Sequence, residues 1–179
     1  MLSEALGIGA VAGLLLCDEK AAGETMISQP IVAGPLAGLI LGDIMTGLVI
    51  GVFLQLVWIN LLPVGAVLPP NATIASVVAV SYAITATDLA GLDFKTAVSF
   101  SILTAIPVGL LGRWLDVHLR DLNGIFLRQA EAFAKAGKDY GINAIVGAGV
   151  AVSFFKGVAV CFIAYVAGAV LIPRVVSSM

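Results

Sequence analysis

Charged side chains are scarce in this sequence. Only 11% of the 179 residues are charged, whereas 60% are hydrophobic, and a soluble domain would carry about a quarter of charged residues. From Ile44 to Thr87 no charged side chain occurs at all. Because a membrane-spanning helix needs roughly 20 apolar residues, this run is long enough for two segments. The sequence therefore predicts an integral membrane protein.

Basic residues and cysteines are also few, which excludes several functions. Nine Lys and Arg against eleven Asp and Glu leave no basic patch of the kind that nucleic-acid binding requires. Cys17 and Cys161 lack metal-binding or redox spacing and are predicted to be apolar fillers. The first residues lack the positive region of a secretory signal, so the first apolar run is predicted to remain in the mature protein. We predict no nucleic-acid partner, no metal and no cofactor.

Other uncharged runs recur along the whole chain. They cover residues 5–17, 25–42, 96–112, 140–155 and 157–173. The runs are continuous rather than alternating, which favours helices over the strands of a membrane barrel. Several are too short to cross a bilayer unaided. We therefore predict an all-α fold, a polytopic transmembrane helical bundle with interrupted or re-entrant segments, which forms a single membrane domain over residues 1–179.

Small residues recur at helical spacing in two consecutive segments. Gly34, Gly38 and Gly42 are four residues apart, and Gly47 and Gly51 repeat the spacing beyond them. In lipid, small residues at every fourth position let helix backbones approach closely. The pattern predicts that these two segments pack tightly, either as a hairpin or against a partner.

The stretch from Gly42 to Asn71 holds polar and irregular residues that a lipid-facing helix does not need. Gln55 and Trp58 share a helix face with the glycines before them. Pro63 is expected to kink or end that helix, and the residues up to Asn71 are expected to form an extended or re-entrant loop. Non-helical backbone at membrane depth survives only where protein or water surrounds it. This stretch is therefore predicted to form the wall of a binding site.

The segment 113–140 differs from the rest of the chain because it is rich in basic residues. It contains five of the nine Lys and Arg residues, and such clusters mark the cytoplasmic side of a membrane protein. Its apolar residues recur mostly at three and four, which predicts a cytoplasmic amphipathic helix. His118 lies here without a phosphate-binding loop, so we do not assign it a phosphorylation role. Lys156, further on, is interpreted as a snorkelling or loop lysine.

Several short motifs together resemble one known family. They are Gln29-Pro30-Ile31-Val32, Leu39-Ile40-Leu41-Gly42-Asp43, Thr46-Gly47, Leu54-Gln55, Pro63-Val64-Gly65-Ala66, Pro69-Pro70-Asn71-Ala72 and Ile74-Ala75-Ser76. The chain thereby resembles the membrane subunit IIC of the mannose/sorbose-type sugar phosphotransferase system (PTS), shortened at the C-terminus. The likeness is nearly ungapped over residues 29–78 and looser from 129 to 156. Two positions depart from the family: Gln55 replaces a usual glutamate, and Asn71 a usual aspartate.

The resemblance implies a sugar-translocating subunit in the bacterial inner membrane. Such a subunit works with a sister membrane subunit, IID, while cytoplasmic subunits IIA and IIB carry phosphate on histidines and phosphorylate the sugar as it enters. No catalytic or phosphorylated residue is then expected on this chain. A hexose-like sugar is the implied substrate, and an oligomer is expected. Two alternatives stay open: a reduced, non-transporting partner or regulator of such a complex, and a vitamin-binding membrane subunit of an ATPase-driven importer.

Five residues are the predicted sugar contacts. They are Gln55, Asn71, Asn60, Trp58 and Asp43. Sugar sites combine a few planar polar groups and aromatic faces in an otherwise apolar pocket, and amides can donate and accept at once. Structural roles remain open for the same residues: a helix-to-helix hydrogen bond for Gln55, helix N-caps for Asn71 and Asp43, and interfacial packing for Trp58.

Overall fold

The computed structural model describes residues 1–20, 25–60 and 68–177, and the described residues fold into helices without strands. The helices are α1 (Leu2–Lys20), α2 (Pro30–Leu41), α3 (Ile44–Trp58), α4 (Ala72–Asp88), α5 (Phe94–Lys135) and α6 (Asp139–Ser177). The predicted all-α fold is confirmed. Pro63 and most of the predicted re-entrant loop lie outside the described residues, and residues 68–70 lead without regular structure into α4.

Helix α4 is the centre of the fold. Thirteen of its 17 residues are buried, and it packs against all five other helices. Two of its buried serines bond within the helix, because the hydroxyls of Ser76 and Ser81 donate to the carbonyls of Ala72 and Val77 at 2.7 and 2.8 Å. A helix that is apolar on every face is stable only when it is surrounded. The remaining helices therefore form a shell around α4.

Helices α2 and α3 form a hairpin joined by glycines. A Cβ atom built on Gly34 would lie 2.4 Å from the carbonyl oxygen of Gly47, and one built on Gly47 would lie 2.4 Å from that of Gly34. Gly42 ends α2 in the left-handed region, with a φ of 87°. The predicted close packing of these segments is confirmed, and it takes the hairpin form. With 12 and 15 residues, the two helices reach only about 18 and 22 Å, short of a hydrocarbon core of about 30 Å.

Helices α5 and α6 are the long members of the bundle. They contain 42 and 39 residues, and each is long and apolar enough to cross a membrane. The predicted amphipathic segment 113–140 is not a separate element, because its first part continues α5 to Lys135 and its last residues begin α6 at Asp139. Gly137 makes the turn between them with a φ of 64°. The cytoplasmic location of this segment stays a prediction.

Glycines also hold α6 against α1. A Cβ atom on Gly157 would lie 2.8 Å from the Cα atom of Gly13. The backbones of α1 and α6 are therefore in contact at these two glycines. The sequence left open whether residues 140–173 form one long element or two short ones. The structure shows one continuous helix that runs through Lys156.

Candidate functional site

Two adjoining cavities lie beside the start of α4. The larger has a volume of about 860 Å³ and is bounded mainly by α5, α6 and the residues before α2. The smaller, of about 170 Å³, lies between the start of α2, the end of α3 and the start of α4. Glu19, Ser28, Gln29 and Pro69 line both cavities. The two cavities therefore share a wall that is largely polar.

Gln55 and Trp58 line the smaller cavity, as the sequence placed them on a common face. The Gln55 side chain donates from Nε2 to Gln29 Oε1 at 2.6 Å, and its Oε1 accepts from the backbone N–H of Ile31 at 3.4 Å. Since Gln29 makes no side-chain cap on α2, Gln55 provides an acceptor that the helix end needs. Gln55 thus has both the helix-to-helix bond and the cavity position that the sequence left as alternatives.

Asn71 forms the N-terminal cap of α4 and ties it to α5. Its Oδ1 accepts from the Ile74 N–H at 2.9 Å, and its own backbone N–H donates to the Gly109 carbonyl at 2.9 Å. A Cβ atom on Gly112 would lie 2.7 Å from the Asn71 Cβ, so α5 approaches this closely only because residue 112 is a glycine. Asn71 is 2% exposed, and its predicted capping role is confirmed.

A buried ion pair continues from Asn71 to α6. Asn71 Nδ2 donates to Asp116 Oδ2 at 2.9 Å, while Asp116 Oδ1 pairs with the Lys156 ammonium. The Asp116 and Lys156 side chains are only 6% and 7% exposed, and both line the larger cavity. The interpretation of Lys156 as a snorkelling or loop lysine is therefore wrong: it lies inside a continuous helix, and Asp116 compensates its charge.

Sequence reasoning missed this pair as a functional feature, although one signal was present. A lysine within a long apolar run is costly in a membrane and usually pairs or serves a function. Its partner stands 40 residues earlier, on a helix that the sequence assigned to the membrane surface from residue 113 onward. The folded arrangement was needed to join them.

The other predicted contacts lie elsewhere. Asp43 is exposed and caps α3, where its Oδ1 accepts from the Thr46 N–H at 3.0 Å. Asn60 is exposed just after α3. Neither is among the described residues that line the two cavities, so their sugar contact stays a prediction. His118 is exposed on α5, with Nδ1 2.9 Å from the Trp114 carbonyl oxygen.

The Thr73 hydroxyl makes further polar contacts in the shared wall of the cavities. The Thr73 hydroxyl lies 2.9 Å from the Ser28 carbonyl and 3.1 Å from Glu19 Oε2. It thereby joins the ends of α1 and α4 and the segment before α2. Within residues 1–20, 25–60 and 68–177, no group of three His, Cys, Asp or Glu could hold a metal ion. The walls offer donors and acceptors held in place by helix ends, an arrangement suited to binding a polar solute.

Short apolar helices around a buried central helix, with polar-walled cavities at their ends, define a helical membrane protein whose cavities suit a polar solute. The family model for the PTS sorbose-specific IIC component matches residues 2–179. This chain therefore belongs to the family of IIC components of sorbose-type sugar phosphotransferase systems, a family of membrane transport subunits. The family match leaves no support for the alternative of a vitamin-binding importer subunit.

Curated relatives agree with the family match. A putative N-acetylgalactosamine permease IIC component of Escherichia coli K12 is 39% identical over 107 residues, which make up 59% of this chain and 76% of that protein. The fructose permease IIC component of Bacillus subtilis is 32% identical over 67% of this chain and 42% of its own length. The mannose-specific component of E. coli K12 is 29% identical over 64% of this chain. The alignment with it spans 40% of that relative.

Solved structures share the fold. One is a cryo-EM structure of the mannose transporter ManYZ in complex with microcin E492, with a TM-score of 0.74 and 22% identity over 98% of this chain and 70% of that chain. Another, described as a membrane protein, gives a TM-score of 0.81 at 22% identity. It covers 98% of this chain and 66% of that chain.

Proposed function

We propose that this chain translocates a hexose-like sugar across the bacterial inner membrane as a multi-pass IIC subunit, and that the sugar binds in the two adjoining cavities. The observation that carries the proposal is the Gln29–Gln55 pair in the wall of the smaller cavity, beside Trp58. Two amides joined by one hydrogen bond keep further donors and acceptors for hydroxyls. Trp58 adds the aromatic face that sugar rings commonly use.

The neighbouring residues give this site a fixed frame. Asn71 sets the start of α4 beside the shared wall, and its own polar atoms are engaged by Ile74 and Asp116. We therefore propose a positioning role for Asn71 and direct sugar contact for Gln55 and Trp58. Asn60 and Asp43, which are exposed, are proposed only as contacts during entry or release.

The proposed function requires partners. The chain is proposed to assemble as an oligomer with a membrane subunit IID and to receive cytoplasmic subunits IIA and IIB, which phosphorylate the sugar. The outer ends of α5 and α6, around the turn at Gly137, are exposed and carry the basic residues of segment 113–140. Basic residues flank the cytoplasmic side of membrane helices, so these ends are proposed to face the cytoplasm and the soluble subunits.

The test is sugar uptake and sugar binding by the chain together with its matching IIA, IIB and IID subunits. The sugars to screen are mannose, fructose, sorbose and N-acetylgalactosamine, which the relatives' names supply. Gln55→Leu preserves side-chain volume but removes both hydrogen bonds. Since a net hydrogen bond contributes about 1 kcal/mol, binding is expected to weaken by roughly fivefold for each bond to the sugar that is lost.

Gln129→Leu is the matched control, because Gln129 is exposed on α5 and lines neither cavity. It is expected to bind sugar as the unaltered chain does. Unchanged binding and uptake in both Gln55→Leu and Gln55→Ala/Asn71→Ala would remove the site assignment. Absence of binding to any of the four sugars by the complete complex would instead support a non-transporting partner or regulator.

A further inference from the structure

The wall segment, residues 25–29, lies just before α2 and belongs to the wall that the two cavities share. Ser28 and Gln29 line both cavities, and Met26 lines the larger one. A hydrogen bond from the Gln29 N–H to the Met26 carbonyl at 3.2 Å closes the segment into a turn. Gln29 is also the partner of Gln55, the proposed sugar contact. The conformation of the wall segment therefore decides where the Gln29 amide lies.

The wall segment is anchored to α1 at one end and to α4 near the other. Asp18 Oδ1 accepts from the Thr25 N–H at 2.9 Å and from the Thr25 hydroxyl at 2.6 Å. Asp18 is only 5% exposed, and hydrogen bonds to an ionised group are roughly twice as strong as neutral ones. At the other end, the Ser28 carbonyl oxygen lies 2.9 Å from the Thr73 hydroxyl. Both anchors come from helices that are fixed by their own packing.

Between these anchors, Met26 has a backbone conformation that residues with a side chain disfavour. Its φ is 67°, in the left-handed region, and no other non-glycine residue in the described ranges has a positive φ. In this region the Cβ atom lies too close to the following carbonyl oxygen. Such strain persists only where the surrounding structure enforces it, and it is concentrated at functional sites. The Met26 side chain is 67% exposed, so burial of that side chain does not account for the conformation.

We propose that Asp18 and Met26 are positioning residues of the sugar site, because together they fix the place of Gln29. The proposal rests on the sugar-binding function proposed above. Asp18, which lines neither cavity, acts through its bonds to Thr25, and Met26 acts through the path of its backbone. Gln29 is thereby held where its amide meets both Gln55 and a bound sugar. A site that is ordered in advance binds more tightly, because binding then does not have to order the side chain.

Substitutions at Met26 test the backbone conformation. Asparagine enters the left-handed region more readily than other non-glycine residues, whereas a β-branched residue does so rarely. Met26→Asn should therefore bind sugar at least as tightly as the unaltered chain, and Met26→Ile should bind it roughly threefold to tenfold more weakly. Met26→Leu is the matched control, since it keeps an unbranched Cβ and an apolar side chain, and its affinity should not change. Binding of mannose, fructose, sorbose and N-acetylgalactosamine is measured on the full chain with its partner subunits in lipid nanodiscs.

Substitutions at Asp18 test the anchor in the same assay. Asp18→Leu removes both bonds to Thr25 and is expected to weaken sugar binding by roughly tenfold. Asp18→Asn keeps an acceptor oxygen for Thr25 and should regain most of the affinity. Asp121→Leu is the matched control, because Asp121 is exposed on α5 and lines neither cavity. Its affinity should equal that of the unaltered chain.

The variant Gln29→Leu distinguishes a positioning role from a general loss of stability. By itself it should weaken binding by roughly fivefold, which leaves binding measurable. If Asp18 and Met26 act through Gln29, their substitutions should weaken binding no further once the Gln29 amide is gone. A purely structural role would instead leave their effects in full.

The outcomes separate the two proposals. The expected order at Met26, together with its disappearance in the Gln29→Leu background, supports the positioning role. Equal affinities across the Met26 series, or effects that persist in full beside Gln29→Leu, overturn it while the sugar-binding function stands. If the unaltered complex binds none of the four sugars, the proposed function fails and this inference fails with it.

Discussion

The α2–α3 hairpin and the junction of α4, α5 and α6 are held together in opposite ways. In the hairpin, glycines bring two backbones within van der Waals contact, and the interface between Gly34 and Gly47 has no side chains. At the junction, the side chains of Asn71, Asp116 and Lys156 link three helices through hydrogen bonds and a charge pair. The hydrophobic effect does not drive helices together within lipid. Close packing and interhelical hydrogen bonds must therefore hold them together. The comparison predicts that larger side chains at the glycine positions destabilise the hairpin. It also predicts that loss of a charged side chain destabilises the junction.

The largest expected effect follows from removing one charge of the junction. Lys156→Met removes the cation from the buried Asp116–Lys156 pair, and breaking a buried pair in this way costs about 3–5 kcal/mol of unfolding free energy. The double variant Lys156→Met/Asp116→Asn should recover most of that loss, because it removes both charges of the pair. Unfolding in mixed micelles, followed by helical circular dichroism, measures both. Equal losses in the single and double variants would show that volume rather than charge matters here.

The next effect is steric and belongs to the hairpin. Gly47→Val places carbon atoms where the Gly34 carbonyl oxygen already lies, since even a Cβ atom would be 2.4 Å from it. Overpacking of this kind costs about 1–3 kcal/mol or more. Gly124→Ala on α5 is the control, because its Cβ would meet nothing within 4 Å. Its unfolding free energy should stay level or rise, as expected for glycine replaced by alanine in a helix. An unperturbed Gly47→Val variant would contradict the close packing.

A smaller effect is expected at Asn71. Asn71→Ala removes the α4 cap and the bond to Asp116, and the loss of a cap costs about 0.5–2 kcal/mol. Asn71→Ser keeps a capping oxygen but is too short to replace the bond to Asp116. Its stability should therefore fall between those of the unaltered chain and Asn71→Ala. Thermal unfolding of the three proteins, compared in the same lipid, shows whether cap and junction contribute separately. Identical values for the two variants would assign the whole loss to Asp116.

The smallest effect concerns Asp93, which caps α5 outside the membrane segments. Its carboxylate accepts from the Thr96 hydroxyl at 2.6 Å and the Thr96 N–H at 3.2 Å. These bonds lower the pKa of Asp93 from its ordinary value of 3.8. Because the folded state holds the proton less readily than the unfolded state, the cap stabilises above that value and the benefit is lost as pH falls through the lowered pKa.

Asp93→Asn retains a capping oxygen without the titrating charge, so it tests this pH dependence. Its melting temperature is expected to be slightly lower near neutral pH and to converge with that of the unaltered chain in acid. Melting temperatures between neutral pH and the lowest pH at which both proteins stay soluble provide the measurement. A difference that grows in acid would contradict the sign.

Parts of the site were predictable because they follow from local spacing. Gln55 and Trp58 lie one helical turn apart, so any helix there places them on the same side. Asn71 after two prolines and before an apolar run is a usual start of a helix. Asp43 was also predictable as a cap, because its side chain accepts from the backbone N–H of Thr46, only three residues further on. Gln29, Glu19, Asp116 and Lys156 were not assigned to the site, because each joins it through a contact with a residue distant in sequence.

The sequence by itself determined the membrane environment, the helical class, the glycine faces and the caps. These follow from composition and from interactions within a few residues. Only the tertiary structure decided that the glycine faces meet as a hairpin, that α4 is the centre, and that Lys156 meets Asp116 across 40 residues of chain. The physical reason is that helix pairing in lipid depends on the fit of whole surfaces and on the compensation of buried charge. Neither is encoded in the spacing of neighbouring residues.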